Sequence, residues 1–257
     1  MPFEARSLSF LSSDVPDARE ATDRLRSLYD HVEPDQADII IALGGDGFML
    51  QTQLDYMNSG KPIFGMNKGT IGFLMNEYRE DGLPERLEGA QQSIIHPLKM
   101  TATDTDGNIH TALAVNEVST FRQSHQAAKL RILIDGQPRM NELVCDGAMV
   151  ATPQGSTAYN LSAHGPILPL NAPLLALTPV SPFRPRNWRG ALLPNTVSVQ
   201  IDVLEPKKRP VNAVADHTEI KSILSVTICE DRESTGRLLF DPEHPWDERI
   251  LKEQFQI

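Results

Sequence analysis

The tract Ile39-Ile40-Ile41-Ala42-Leu43, followed at once by Gly44-Gly45-Asp46-Gly47, constrains this chain more than any other short stretch. An unbroken apolar run with no polar alternation suits a strand buried on both faces, as in a parallel sheet covered by helices. The glycines end that strand, and Phe48 to Asn58 reads as a helix. Upstream, residues 6–11 can form a short strand. Asp17 to Tyr29 has Ala21, Leu25 and Leu28 at helical spacing, with Asp14 before Pro16 marking its start. Pro62-Ile63-Phe64-Gly65 is the next strand candidate. The β-α-β-α-β alternation predicts a right-handed, doubly wound unit.

The texture changes near residue 95. Leu98 to Thr103, Ile109 to Val115, Leu130 to Ile134, Val197 to Val203 and Ser222 to Ile228 read as short strands. Asp106-Gly107-Asn108 and Asp135-Gly136-Gln137 supply turn signals, the first a hairpin. The expected division is an α/β domain over 1–95 and a β-rich, antiparallel, sandwich-like domain over 96–235. The tail, 236–257, is expected to return to the first domain, with a helix from Trp246 to Phe255.

With 24 basic against 34 acidic residues the formal charge is −10. That excludes a broad basic face for nucleic acid but not a local phosphate site. No apolar run approaches the ~20 residues of a membrane helix, and the first ten residues carry no signal pattern, so a cytoplasmic protein is expected. Cys145 and Cys229 make neither a disulfide framework nor a zinc site. His31, His96, His110, His125, His164 and His244 lack metal-ligand spacing, and no protein metal ligand is assigned.

Three glycine-bearing segments can carry chemistry. A turn feeding a helix start presents unpaired N–H groups to an anion, and Gly44, Gly45 and Gly47 allow the close approach a phosphate needs. Neither the Walker pattern nor the spaced dinucleotide fingerprint is present. Asp46 conflicts with an anion site unless it holds Mg²⁺ or takes a proton from a hydroxyl. The second segment, Asn67-Lys68-Gly69-Thr70-Ile71-Gly72-Phe73-Leu74, offers one cation and a Phe73 ring that can stack on a base or fill a core. In the third, Asp146 to Ser162, a strand runs through Ala148 to Ala151 into Thr152-Pro153-Gln154-Gly155-Ser156-Thr157. Its hydroxyls suit helix caps and equally a polar recess, with Tyr159, for a purine edge or phosphate.

Taken together, GGDG at 44–47, NKGTIGFL at 67–74, NE at 116–117 and DGAMVATPQGSTAYNLSAHGPIL at 146–168 resemble the NAD kinase family. The segments SPFRP at 181–185 and Asp216-His217 resemble it too. GGDG alone is shared with lipid kinases; the long run is specific. The resemblance implies a Rossmann-like α/β domain, a β-sandwich-like domain, and phosphorylation of the adenosine 2′-hydroxyl of NAD to give NADP. The donor would be ATP or polyphosphate with Mg²⁺ or another divalent metal, in a homodimer or homotetramer.

The implied catalytic residue is Asp46, as base or hydroxyl-orienting group, with Gly44, Gly45 and Gly47 binding phosphate. The implied NAD-binding set is Asp46, Gly47, Phe73, Leu74, Asn116, Glu117, Asp146, Thr152, Ser156, Thr157, Ala158, Tyr159, Ser162 and Asp216. Asn116 would read the adenine edge through its paired donor and acceptor, and Asp146 would face the nicotinamide half. Two departures stand out: Phe48 follows GGDG where Thr is usual, and His164 occupies a frequent glycine position. Arg184, Arg186 and Arg189 around Trp188 form a basic loop, either solvated or a phosphate or subunit contact. The alternatives are a lipid or sphingoid kinase sharing the glycine turn, and a dinucleotide sensor without turnover.

Overall fold

A computed structural model describes residues 6–69, 72–242 and 255. The chain divides into two compact units, Met1–Ile95 with Ser234–Ile257, and His96–Glu233. The helix expected over Trp246 to Phe255 lies, apart from Phe255, outside the described residues.

The first unit runs β1 (Leu8–Ser12), α1 (Pro16–Leu28), β2 (Ile39–Gly44), α2 (Asp46–Asp55), β3 (Pro62–Asn67), α3 (Leu83–Gly89) and β4 (Gln91–Ile95). The late strand Gly236–Phe240 joins the same sheet between β3 and β4. It is parallel to β3, as β1, β2 and β3 are to one another, and antiparallel to the edge strand β4. Every residue of β2 is buried, which is why the run carries no polar alternation.

Ala21 and Leu25 of α1 and Leu83 and Leu87 of α3 pack with Ile39, Ile41, Leu43, Phe64 and Met66 on one face. On the other face α2 is accommodated by glycines: a Cβ on Gly65 would lie 3.2 Å from Met49 Sδ, and one on Gly44 3.0 Å from Phe48. The chain steps from β1 to β2 to β3 in one direction, yet α1 and α2 cover opposite faces. The two crossovers therefore have opposite hands, and the uniformly right-handed winding expected from the sequence holds for only one of them. Helix starts also differ from expectation. Val15, not Asp14, precedes α1, with no side-chain cap, and Asp14 instead pairs with Arg19. Helix α2 begins at Asp46 rather than Phe48, because the extended Gly45 offers its carbonyl to the Phe48 and Met49 amides.

A buried ion pair fixes the end of the returning strand. Arg86 of α3 grips Asp241 through Nε and Nη2, and the Asp241 amide donates to Asn76 Oδ1.

The second unit contains β5 (Leu98–Asp104), β6 (Ile109–Ala114), β7 (Glu117–Arg122), β8 (Ala128–Ile134), β9 (Gln137–Cys145) and β10 (Gly147–Ala151). After a four-residue helix, α4 (Tyr159–Ser162), come β11 (Leu174–Val180), β12 (Ala191–Pro194), β13 (Val199–Val203), β14 (Val211–Ala215), β15 (Thr218–Ile220) and β16 (Ile223–Glu230). They form two antiparallel sheets, ordered β12-β11-β10-β7-β14-β15 and β6-β5-β16-β13-β8-β9. Inward residues of both sheets, among them Met100, Ile132, Val150, Leu177, Ile201 and Val226, share one core, which makes this unit a β-sandwich. Both turn signals are hairpins. Asp135 and Gly136 take positive φ (50° and 73°) between β8 and β9, the geometry of a type I′ turn.

Candidate active site

In the first unit the two glycine segments meet. The Lys68 amide donates to Gly44 O (2.7 Å), and a Cβ on Gly69 would sit 3.3 Å from Gly45 Cα. Across this contact the Asp46 carboxylate accepts the Phe73 amide on Oδ2 (2.8 Å) and the Leu74 amide on Oδ1 (3.1 Å). Gly72 makes room for it, since a Cβ there would lie 2.8 Å from Asp46 Oδ1.

Asp46 therefore sits at the first position of α2 with its orientation set by a second loop. The two amides set the orientation of the carboxylate at the helix start. First-turn amides of α2, Gly47's among them, have no intrahelical carbonyl to bond and suit an anion. Gly47 is exposed and no atom comes near the position of its missing Cβ. Leu74 is buried and Phe73 half-buried. The Lys68 ammonium lies 3.4 Å from the centre of the Tyr78 ring.

In the second unit, register places Glu117 opposite Ala151 across β7 and β10. This brings Asn116 and Glu117 beside the segment that begins at Thr152. Thr152 secures the junction: its amide donates to Asn116 O (2.9 Å), its hydroxyl donates to Val115 O (2.7 Å) and accepts the Gly155 amide (3.0 Å). Gly155 has no alternative there, because a Cβ would lie 2.1 Å from Asn116 O. The Asn116 amide oxygen accepts from Gln154 Nε2 (3.3 Å).

The hydroxyl-rich stretch is a 3-10 turn, Gly155–Thr157, followed by α4, with no side-chain cap on either element. The cap roles open to Ser156 and Thr157 are thus not taken. Ser156 Oγ donates to Pro153 O (2.6 Å) and accepts the Leu168 amide (2.9 Å), and Thr157 Oγ1 donates to Gln154 O (3.2 Å). Thr152, Ser156 and Thr157 are buried, Ala158 is half-buried, and Tyr159 and Ser162 are exposed. The Tyr159 ring meets Phe121 at 5.6 Å between centroids.

The acidic members differ sharply. Asp216, in the β14–β15 turn at φ 49°, accepts the amides of Val115 (2.6 Å), Asn116 (3.1 Å) and Glu117 (3.2 Å). Burial raises its carboxyl above the ordinary value against the pull of those three bonds. Glu117 has a buried Oε2 that makes no hydrogen bond within the described residues. Burial, helped by the Asp216 charge, pushes its carboxyl up to about 7. Asp146 accepts from Arg122 Nε and is partly exposed. The Cys145 thiol is pushed up to about 12 by burial, so it stays protonated.

Sequence reasoning missed the residues that hold this architecture. Buried Asn160 donates to Ser156 O (3.2 Å) and Pro166 O (2.9 Å) and accepts from Thr178 (2.6 Å). The glycine of the SAHGP segment was the available signal, because a Cβ on Gly165 would collide with Asn160 Oδ1 at 2.1 Å. Among the described residues no group of three or more His, Cys, Asp or Glu could hold a metal ion, and no helix is long and apolar enough to cross a membrane.

A carboxylate at a glycine-rich helix start in an α/β unit, followed along the chain by a β-sandwich unit, is an arrangement suited to phosphoryl transfer. Comparison narrows the class. Residues 2–91 match the ATP-NAD kinase N-terminal domain and residues 105–229 the ATP-NAD kinase C-terminal domain. The chain is 59% identical to an NAD kinase of Rhizobium meliloti, covering 97% of each chain, and 61% identical to one of Brucella suis, again covering 97% of each. The fold resembles yeast NADH kinase complexed with NADH (TM-score 0.83, 21% identity, 100% of this chain and 89% of that one). It also resembles an NAD kinase from Archaeoglobus fulgidus in complex with ATP (TM-score 0.72, 20% identity, 96% of each). The chain belongs to the NAD kinase family and is an enzyme that transfers a phosphoryl group to an alcohol.

Proposed function

We propose that this enzyme transfers the terminal phosphoryl group of ATP to the adenosine 2′-hydroxyl of NAD, with Asp46 as the base. The observation that carries the reading is the Asp46 carboxylate, aimed by the Phe73 and Leu74 amides at the start of α2. A carboxylate there would repel phosphate, so its presence is explained by a proton it must receive. The hydroxyl is far less acidic than an aspartic acid, so proton transfer accompanies formation of the new O–P bond. The amides of Gly44, Gly45 and Gly47 would hold donor oxygens.

A divalent cation, Mg²⁺ by its chemistry, would supply charge neutralisation of the donor phosphates. Mg²⁺ commonly takes one or two carboxylates together with substrate phosphates and waters. A carboxylate such as that of Asp46 suits that demand in kind, without a dedicated protein cage. On the second unit Asn116, Glu117, Thr157, Ala158, Tyr159 and Ser162 would recognise the adenosine. The buried, unpartnered Glu117 Oε2 suits a ribose or adenine donor. Asp146 would face the nicotinamide half. Thr152, Ser156 and Asp216 would act through the backbone they hold. ATP as donor, rather than polyphosphate, is supported by the ATP complex of the archaeal relative. An oligomeric cytoplasmic enzyme completes the proposal.

The test is NADP formation by wild type and Asp46→Asn, with NAD or NADH against ATP or polyphosphate, alongside NAD binding. The variant is expected to bind NAD normally and to lose ~10²–10⁴-fold in rate. Normal turnover by the variant would remove Asp46 as base. Turnover only with polyphosphate would overturn the donor assignment.

A further inference from the structure

Within the second unit, β12 ends one sheet and β9 ends the other. Along this side the sandwich stands open around a cavity of about 350 Å³. Leu177 and Leu193 line it from the first sheet, Ile132 and Met140 from the second, with Trp188 and Arg139 among the rest of the lining. Ile132 and Leu177 belong to the sandwich core, so the cavity reaches the interior. Packed interiors leave few voids larger than a water molecule, whereas mainly apolar cavities of ~300–1,000 Å³ are the usual form of small-molecule sites.

The backbone holds both walls in place. Pairing of β8 with β9 shifts register between Leu130 and Ile132 and again between Ile132 and Leu133. Irregularities of this kind at a sheet edge re-aim side chains, and these fall where Ile132 faces Met140 across the ladder. On the other wall Gly190, at φ 105°, lies so close to β11 that a Cβ would sit 2.1 Å from Leu177 O. Just before it, Trp188 packs against the sandwich core. Arg139 is exposed, which puts it at the mouth, and it is the one charged residue among the described residues of the lining. Its guanidinium makes no hydrogen bond or ion pair within the described residues.

We infer that this cavity binds a fatty carboxylate, its apolar chain inserted between the two sheets and its head group held at the mouth by Arg139. Aliphatic walls gain from any apolar chain they remove from water, and the unbranched Met140 side chain adapts to its shape. The head group follows from the cation. A guanidinium offers a planar fork of N–H donors that matches a carboxylate bidentately, and a neutral ligand would leave that fork unused. On a protein of net charge −10, a cation beside an apolar opening attracts an anion that the rest of the surface repels. None of the residues proposed for NAD or for the phosphate donor lines this cavity, so the inference stands apart from the NAD kinase reading.

The test measures binding of decanoate, decanol and acetate to the full chain by calorimetry and tryptophan fluorescence. The proteins are wild type, Arg139→Gln, Ala191→Phe and Trp188→Phe. Ala191 lines the cavity from the exposed edge strand β12, so a ring there fills the space without entering packed core. Wild type is expected to bind decanoate and not acetate, with a fluorescence change that Trp188→Phe abolishes. Arg139→Gln should weaken decanoate about tenfold and leave decanol unchanged. Ala191→Phe should weaken both about tenfold or more. Absence of decanoate binding to wild type overturns the inference, as does an equal loss of decanol and decanoate in Arg139→Gln. Full affinity in Ala191→Phe would place the chain elsewhere and overturn it as well. Binding that appears only on dilution to a monomer, followed by sedimentation, would give the opening to a second copy of this chain and overturn it too.

Discussion

Asp46 and Asp216 use the same local device in the two units. Each places a carboxylate under backbone amides of a distant segment. Asp46 takes the Phe73 and Leu74 amides from a helix start, and Asp216 takes the Val115, Asn116 and Glu117 amides from a β-turn. What separates them is their surroundings. Asp46 opens onto a glycine turn where nothing would touch a Cβ on Gly47, whereas Asp216 spends its oxygens on three donors and faces a second acid, Glu117. The two aspartates share a device and differ in what surrounds it.

The sharpest break in the comparison comes from Asp46→Asn, expected to cost catalysis ~10²–10⁴-fold with a thermal midpoint close to wild type. Asp216→Ala should do the reverse. Three amides lose their acceptor, so chemical denaturation is expected to reveal a loss of about 3 kcal/mol; an unchanged midpoint would mean those amides find other partners. Gly72→Ala tests positioning without touching the acid. A Cβ 2.8 Å from Asp46 Oδ1 must displace it, and turnover should fall about tenfold or more with NAD affinity intact.

The smallest effect concerns Glu117. Its carboxyl ordinarily titrates near 4.5 and is raised to about 7 in the fold. The folded state therefore holds more proton than the unfolded state between those values, and stability falls as pH rises through that window. The slope should flatten in Glu117→Gln, by roughly 1–2 kcal/mol across the window. An identical pH profile for the variant would place the titration elsewhere.

The parts legible in the sequence are those in which neighbours along the chain determine the outcome. The run from Ile39 to Leu43 marked a buried strand, and Asp135-Gly136 marked a tight turn, because burial on two faces and positive φ each leave a local signature. The late strand Gly236–Phe240 was not read as a strand, since its place between β3 and β4 depends on partners over a hundred residues away. Asn160 was likewise invisible as an organiser. Apart from the nearby Gly165, nothing local distinguishes an asparagine bonded to Ser156, Pro166 and Thr178 from one in solvent.

By itself, the sequence determined the alternation of the first unit, the β character of the second, the glycine turns and the family they belong to. Only the tertiary structure decided which hydroxyls and carboxylates are committed to holding backbone and which remain able to meet a ligand. It also decided that α1 and α2 cover opposite faces of one sheet. The physical reason is that residue type and spacing encode burial and backbone freedom, which are local. Hydrogen-bond partnership is set by whatever distant group arrives within about 3 Å. Asp46 and Asp216 are the same residue in the sequence, and distant segments bring different amides to each.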